Sequence, residues 1–271
     1  MSPVLPTQPT ATGAPALAED RTSRSVARLV RLGQWRSAGV ALACAGLFMS
    51  AASLYSLQQY AQHALAMAAH SLALGFFPRW IAQLRNEGLN IATRLVATNV
   101  GDAVHALREG GCDLMLAFYD PDAAMQMDAE IFPSLHLGNT EMLPVCAADA
   151  EGKPLFDLEG EGSVPLLAYS AGAFLGRSVN LLLRQRALRF TTIYETAMAD
   201  SLKSMALEGL GIAWVPQLSV RAELARGELV VCGGPQWHVP LEIRLYRCAL
   251  VRKANVRLLW RKLEGGAAQS A

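Results

Sequence analysis

Charge is scarce in this 271-residue chain: 17% of residues are Asp, Glu, Lys or Arg, 52% are hydrophobic, and the mean hydropathy is +0.23. That balance excludes a mainly disordered chain and leaves ample material for a core. Neither sign dominates, with Lys+Arg 24 against Asp+Glu 23, so no global basic field marks a nucleic-acid-binding surface. Lysine is rare, 4 against 20 arginines, which points to a GC-rich genome rather than to a function. No Cys-x-x-Cys occurs. The five cysteines (Cys44, Cys112, Cys146, Cys232, Cys248) are odd in number and widely spaced, which argues against a disulfide framework and a zinc site. Reduced, mostly buried thiols are expected instead. His63, His70, His105, His136 and His238 have no metal-ligand spacing, and neither a metal nor a cofactor is expected. No G-x-S-x-G elbow and no placeable His–acid pair supports nucleophilic catalysis, so the chain does not read as an enzyme.

The first 63 residues are unlike the rest. Residues 1–20 are a Pro/Ala/Thr-rich lead-in of disordered type, followed by Arg21, Arg24, Arg28, Arg31 and Arg36. From Ser37 to Pro78 there is no Asp, Glu, Lys or Arg. The stretch 38–57 is apolar and close to the ~20 residues that cross a bilayer. Three readings stay open: a membrane or export segment behind a basic flank, a helix packed on the following domain, or a miscoded or truncated stretch.

From residue 64 onward the pattern becomes regular. Ala64–Ala69 reads as a strand with Ser71 as the cap of a helix over 72–85, in which Pro78 requires a kink. A strand over 91–98, a helix over 100–109 stopped by Gly110-Gly111, and a buried strand over 113–119 follow. The same order recurs: a strand over 164–169, Ser170, a helix over 173–187, a strand over 190–194, a helix over 196–208 stopped by Gly209, and a strand over 211–215. Ser71 to Ser170 and Gly110 to Gly209 are both separations of 99, the mark of two similar lobes. Between them, 131–148 reads as two strand-like runs parted by Gly138-Asn139. A strand over 240–250 and a helix over 254–263 complete the chain, with crossings between lobes near 144–147 and 240–244.

This alternation implies an α/β fold with parallel sheets, and ligands in such sheets bind at the carboxyl ends of the strands. Other motifs have plainer explanations. Gly209-Leu-Gly211 follows a helix and precedes a strand, the reverse of a dinucleotide loop. Asp120, Asp122 and Asp128 suit a solvated loop, and Met125, Met127, Met198 and Met205 suit core filling before oxidant sensing.

The segment ALEGLGIAWVPQLSVRAELARGELV (206–230), with HSLALGFFPRW (70–80) and ALREGGCDLMLAF (106–118), resembles the effector-binding domain of LysR-type transcriptional regulators. The resemblance covers roughly residues 64–264 and implies two Rossmann-like lobes with a ligand cleft, the type II periplasmic-binding-protein fold. Lobe I would comprise about 64–143 and 240–264, and lobe II about 144–239. MLPVCAADAEGKPLF (142–156), YSAGAFLGRSVN (169–180) and GIAWVPQ (211–217) are most similar to the hypochlorite-responsive branch, whose input is methionine oxidation. Met198 stands at one sensing position of that branch, while Leu84 and Leu175 occupy two others.

The expected effector site is the inter-lobe cleft, formed by Ser71, Leu72, Asn99, Val100 and Tyr119 on one side and Ser170, Met198 and Pro216 on the other. The expected partners are a small-molecule effector or oxidant and further copies of the chain, as dimer or tetramer. DNA is a partner only where a helix-turn-helix is present. The expected location is cytoplasmic; the alternative is a membrane-anchored or exported solute-binding protein of the same fold. The family's winged helix-turn-helix is not recognisable in residues 1–63. Accordingly, gel-shift titration of this chain should give only weak, salt-sensitive DNA binding. A sequence-specific complex at physiological salt would refute that expectation.

Overall fold

The computed structural model describes residues 63–267, apart from 124, 161, 187, 188 and 252. The expectations for the arginine run, the 38–57 stretch and Cys44 lie outside the described residues. Strand β1 (Ala64–Ala69) runs parallel to β2 (Thr93–Thr98) on one side and β3 (Leu114–Tyr119) on the other. Helices α1 (His70–Gly75) and α2 (Phe77–Asn86) join β1 to β2, and α3 (Val100–Arg108) joins β2 to β3. The second half repeats this plan. Strand β5 (Val164–Tyr169) lies parallel to β6 (Phe190–Thr196) and to β7 (Ile212–Pro216), with α4 (Phe174–Gln185) and α5 (Ala199–Leu207) as crossovers. The Leu-Met-Leu-Ala-Phe run of β3 and all of β7 are buried, as strands covered on both faces must be.

Two antiparallel strands join the halves. Strand β4 (Ser134–Ala147) pairs along Ser134–Met142 with β9 (Val239–Arg247), which in turn pairs with β3. Beyond that, β4 pairs with β7 through Met142–Val145 and with β8 (Leu229–Val231) through Val145–Ala147. The strand order is β2-β1-β3-β9-β4-β7-β5-β6, with β8 on β4. Met142 is therefore the crossing residue, with Val239 opposite on one edge and Pro216 on the other. Helix α6 (Gln217–Arg226) returns the chain to β8, and α7 (Ala254–Ala267) follows β9.

Several local expectations change. The helix expected over 72–85 is two helices, because a proline without an N–H fits only in a first turn. The chain therefore restarts at Phe77, with Pro78 at the head of α2. Ser71 is inside α1 rather than capping it; the residue before the helix is Ala69. The strands of the repeat begin at Ala64 and Val164, so His70 matches Ser170 and the first separation is 100 rather than 99. The second separation stands. Gly110 and Gly209 both have φ +73°, and each donates back to a carbonyl three residues earlier, Leu107 and Ala206. The two runs expected around Gly138-Asn139 are one continuous strand, whose extra residue is absorbed as a bulge between His136 and Gly138.

A side chain at Gly211 would sit 2.5 Å from the Pro165 backbone oxygen, where β5 and β7 pack, whereas one at Gly110 meets nothing within 4 Å. Gly110→Ala therefore suffers only from its left-handed backbone, about 1 kcal/mol. Gly211→Ala must push two central strands apart and should lose about 3 kcal/mol. Urea denaturation of the two variants checks this; equal losses would contradict the packing described.

Candidate functional site

Strands β1 and β2 of the first half and β5 and β6 of the second end at one cavity of about 300 Å³. From the first half it is lined by Ala69, His70 and Ser71 after β1, by 98–102 after β2, and by Phe118 of β3. From the second half come 170–175 after β5 and 197–199 after β6. Apart from Phe118 within β3, each of these segments is a strand-to-helix junction, so the cavity is walled by backbone as much as by side chains.

The electrostatics follow from the helix starts. Helices α3, α4 and α5 begin after Asn99, Ala173 and Met198, and none has a side-chain cap. The first amides of a helix have no carbonyl one turn earlier, so they present N–H groups and partial positive charge at the cavity. Among the described residues no Lys or Arg lines the cavity, and His70 and Asp102 are its titratable side chains. Some donors there are already engaged. Ser170 N–H donates to the Thr196 carbonyl at 2.9 Å, and Met198 N–H to the Thr196 hydroxyl at 3.3 Å. Nearby, Asp200 in the first turn of α5 is held by Lys203 at 3.6 Å.

Helix α4 approaches β5 closely because Gly176 has no side chain: a Cβ there would be 2.7 Å from that of Tyr169. Burial, with Asp200 adding to it, pushes the Tyr169 phenol well above its ordinary range.

Of the residues expected at the site, Ser71, Asn99, Val100, Ser170 and Met198 line the cavity together. Ser71 is 5% exposed and Met198 44%, so one is a wall residue and the other stands at the mouth. Leu72, Tyr119 and Pro216 lie elsewhere. Leu72 is fully buried in the core, and Tyr119 lies beneath the Arg244 guanidinium at 3.8 Å. Pro216 ends β7 opposite Met142 and precedes α6. Of the two leucines at sensing positions, Leu175 lines the cavity and Leu84 is buried on α2. His70, Thr98, Asp102, Phe118 and the turn 171–175 were not expected. Extending the strand-to-helix rule from one residue per junction to the whole turn would have found most of them. Among the described residues no group of His, Cys, Asp and Glu could hold a metal, and no helix is long and apolar enough to cross a membrane.

Residues 58–267 match the LysR substrate binding domain. The HTH domain-truncated transcriptional regulator QseD of Escherichia coli O157:H7 is 35% identical over 214 residues, 78% of this chain and 85% of that protein. The regulatory domain of HypT from Salmonella typhimurium superposes with TM-score 0.66 in its apo form, at 32% identity over 77% of this chain and 96% of that one. Its bromide ion-bound form gives 0.65 at the same identity and coverage. These relatives are transcriptional regulators, not solute-binding proteins and not enzymes. LysR regulators bind small effectors, oligomerise and, in full-length form, bind DNA. With a matching domain over 210 residues and the two-lobed α/β fold to go with it, this chain belongs to the LysR family of transcriptional regulators and carries its effector-binding domain.

Proposed function

We propose that the effector of this regulator is a small monovalent anion held in the cavity between the two halves, and that its binding draws the halves together. The observation behind this reading is the convergence of three uncapped helix starts on a cavity that no Lys or Arg lines. Each helix start favours negative charge by about 0.3–1 kcal/mol, and free amides with the Ser71 and Ser170 hydroxyls supply the donors. Asp102 on the wall opposes a second negative charge, which selects against polyanions. A volume of about 300 Å³ leaves room for a compact carboxylate, or for a halide with waters. The bromide-bound state of the similar HypT domain supports the same ligand class. A ligand touching both halves favours the closed arrangement by its differential contacts, which is the switch. Met198, at the cavity mouth, is where an oxidant would act in the same site.

The partner and location readings follow the family. LysR regulators work in the cytoplasm as oligomers, and this chain is proposed to do the same. QseD is described as truncated in its helix-turn-helix domain. That supports a regulator that senses through this domain and acts through association with other copies, with DNA contacted only where a helix-turn-helix is present.

Calorimetric titration with bromide tests the site. Ser71→Ala and Ser170→Ala should each weaken binding by roughly tenfold, from the loss of a hydrogen bond to a charged group, with the ligand-free melting temperature nearly unchanged. Gly101 lines the cavity on α3, and a side chain there meets nothing within 4 Å. Gly101→Leu should therefore occupy the site, abolish binding and leave the fold at least as stable, since a helical Gly costs about 1 kcal/mol. Wild-type affinity in all three variants would refute the assignment.

A further inference from the structure

We propose that Cys146 and Cys232 are a peroxide-reactive dithiol that closes to a disulfide, a modification site separate from the effector cavity. The two residues share one face of the sheet. In the β4–β8 ladder Cys146 lies opposite Val230, and the Cys232 amide donates to the Pro144 carbonyl at 2.9 Å, which makes the cysteines diagonal neighbours. Their sulfurs are 3.2 Å apart, and both residues are fully buried. A disulfide is about 2.05 Å long, so each sulfur need move only about 0.6 Å. Strand β8 can give that much, since it is three residues long and pairs only with β4 among the described residues.

The surroundings divide the chemistry between the two sulfurs. The Cys232 thiol donates to Cys146, and backbone groups of Phe156 and Leu155 also hydrogen-bond to it. Together they outweigh burial and hold the Cys146 thiol below the ordinary thiol range. Cys232 is pushed up by its donation to Cys146, by burial and by the negative charge of Asp157. Cys146 is thus the attacking thiolate and Cys232 the resolving thiol. Cys112 is the contrast: burial and Asp113 push it up to about 11, as for an inert core thiol. The cover over the pair is the segment 149–163, tied down by the Ala148–Pro154 bridge and by Leu155 N–H donating to the Ala147 carbonyl at 3.1 Å. Its described residues otherwise form neither helix nor strand, and most of them are exposed.

The balanced sequence needs one hydroperoxide. The Cys146 thiolate attacks the terminal oxygen, the O–O bond breaks, and the departing oxygen takes a proton and leaves as water, giving a sulfenic acid. Cys232 sulfur then attacks the Cys146 sulfur and displaces the hydroxyl, which leaves as a second water with the thiol proton. Two thiols and one hydrogen peroxide become a disulfide and two waters, with sulfur oxidised and peroxide reduced. The bond would tie β4, four residues beyond its crossing at Met142, to the segment that re-enters the first half at Val239.

The experiment treats the full chain with hydrogen peroxide, blocks free thiols with N-ethylmaleimide under denaturing conditions, and maps peptides without reduction. The expected product is a Cys146–Cys232 linked peptide lighter by two hydrogens and released by dithiothreitol, with Cys112 recovered as its maleimide adduct. In Cys232→Ser, with no resolving thiol, dimedone should label Cys146. Both thiols recovered unmodified at a peroxide dose that oxidises the half-buried Cys248, or a link joining another pair, would overturn the proposal. If Cys232→Ser does not fold, the wild-type map decides alone.

Discussion

The antiparallel pairing of Ser134–Met142 with Val239–Tyr246 is the constraint on which the rest of the structure depends. Each half alone is a small parallel sheet in which β1 and β2, or β5 and β6, end in helix starts. What makes those ends face a common cavity is that the chain leaves the first half along β4 and returns along β9, with both strands hydrogen-bonded across the boundary. Met142, at the crossing, is fully buried and bracketed by Val239 and Pro216. The packing that sets this geometry is correspondingly tight. Trp214 on β7 is 1% exposed and donates its indole N–H to the Trp237 carbonyl at 2.8 Å. Gly233 has φ +73° and lies against the Trp237 ring, where a Cβ would be 2.5 Å from the nearest carbon. A seven-residue excursion between β8 and β9 is thereby locked onto the face that also carries Cys146 and Cys232.

From this arrangement the site's chemistry follows with little help from charged side chains. The cavity is made of helix beginnings, small residues and hydroxyls, so its attraction for a ligand is set by backbone geometry rather than by ion pairs. Short ion pairs outside it, such as Lys253 with Asp113 and Arg244 with Glu242, both at 2.7 Å, involve no residue of its lining. A site of this kind changes its affinity when the halves move, because the amides of α3 and those of α4 and α5 belong to different halves. On the proposed reading, ligand binding and the relative position of the halves are one equilibrium.

The legible parts of the sequence were those governed by local rules. Helix stops at Gly110 and Gly209 were readable because only glycine enters the left-handed region freely, and both sites have that backbone. The buried strands β3, β5 and β7 were readable from short apolar runs between such stops. Ser71 was misread as a cap because a serine after a strand satisfies the local rule, while the helix starts two residues earlier, directly after β1. The bulge in β4 was hidden because Gly138-Asn139 has the composition of a hairpin turn, and only the partner strand β9 keeps it extended. Helix α6 was missed outright: polar and apolar residues mix along Gln217–Arg226, and of that helix only Val220 is fully buried. The site was partly legible for the same reason. Junction residues such as Asn99, Ser170 and Met198 could be placed by strand ends, and the same rule taken over whole turns reaches His70, Asp102 and 171–175, whereas Phe118, inside β3, depends on how the halves face each other.

The central claim, that the helix starts of both halves hold one anion between them, is tested most directly by anomalous diffraction from crystals of this protein soaked in bromide. The account predicts an anomalous peak in the cavity, within hydrogen-bonding distance of amides at the start of α3 and of α4 or α5. An empty cavity with bromide found only on the outer surface, or a peak touching one half alone, would contradict it.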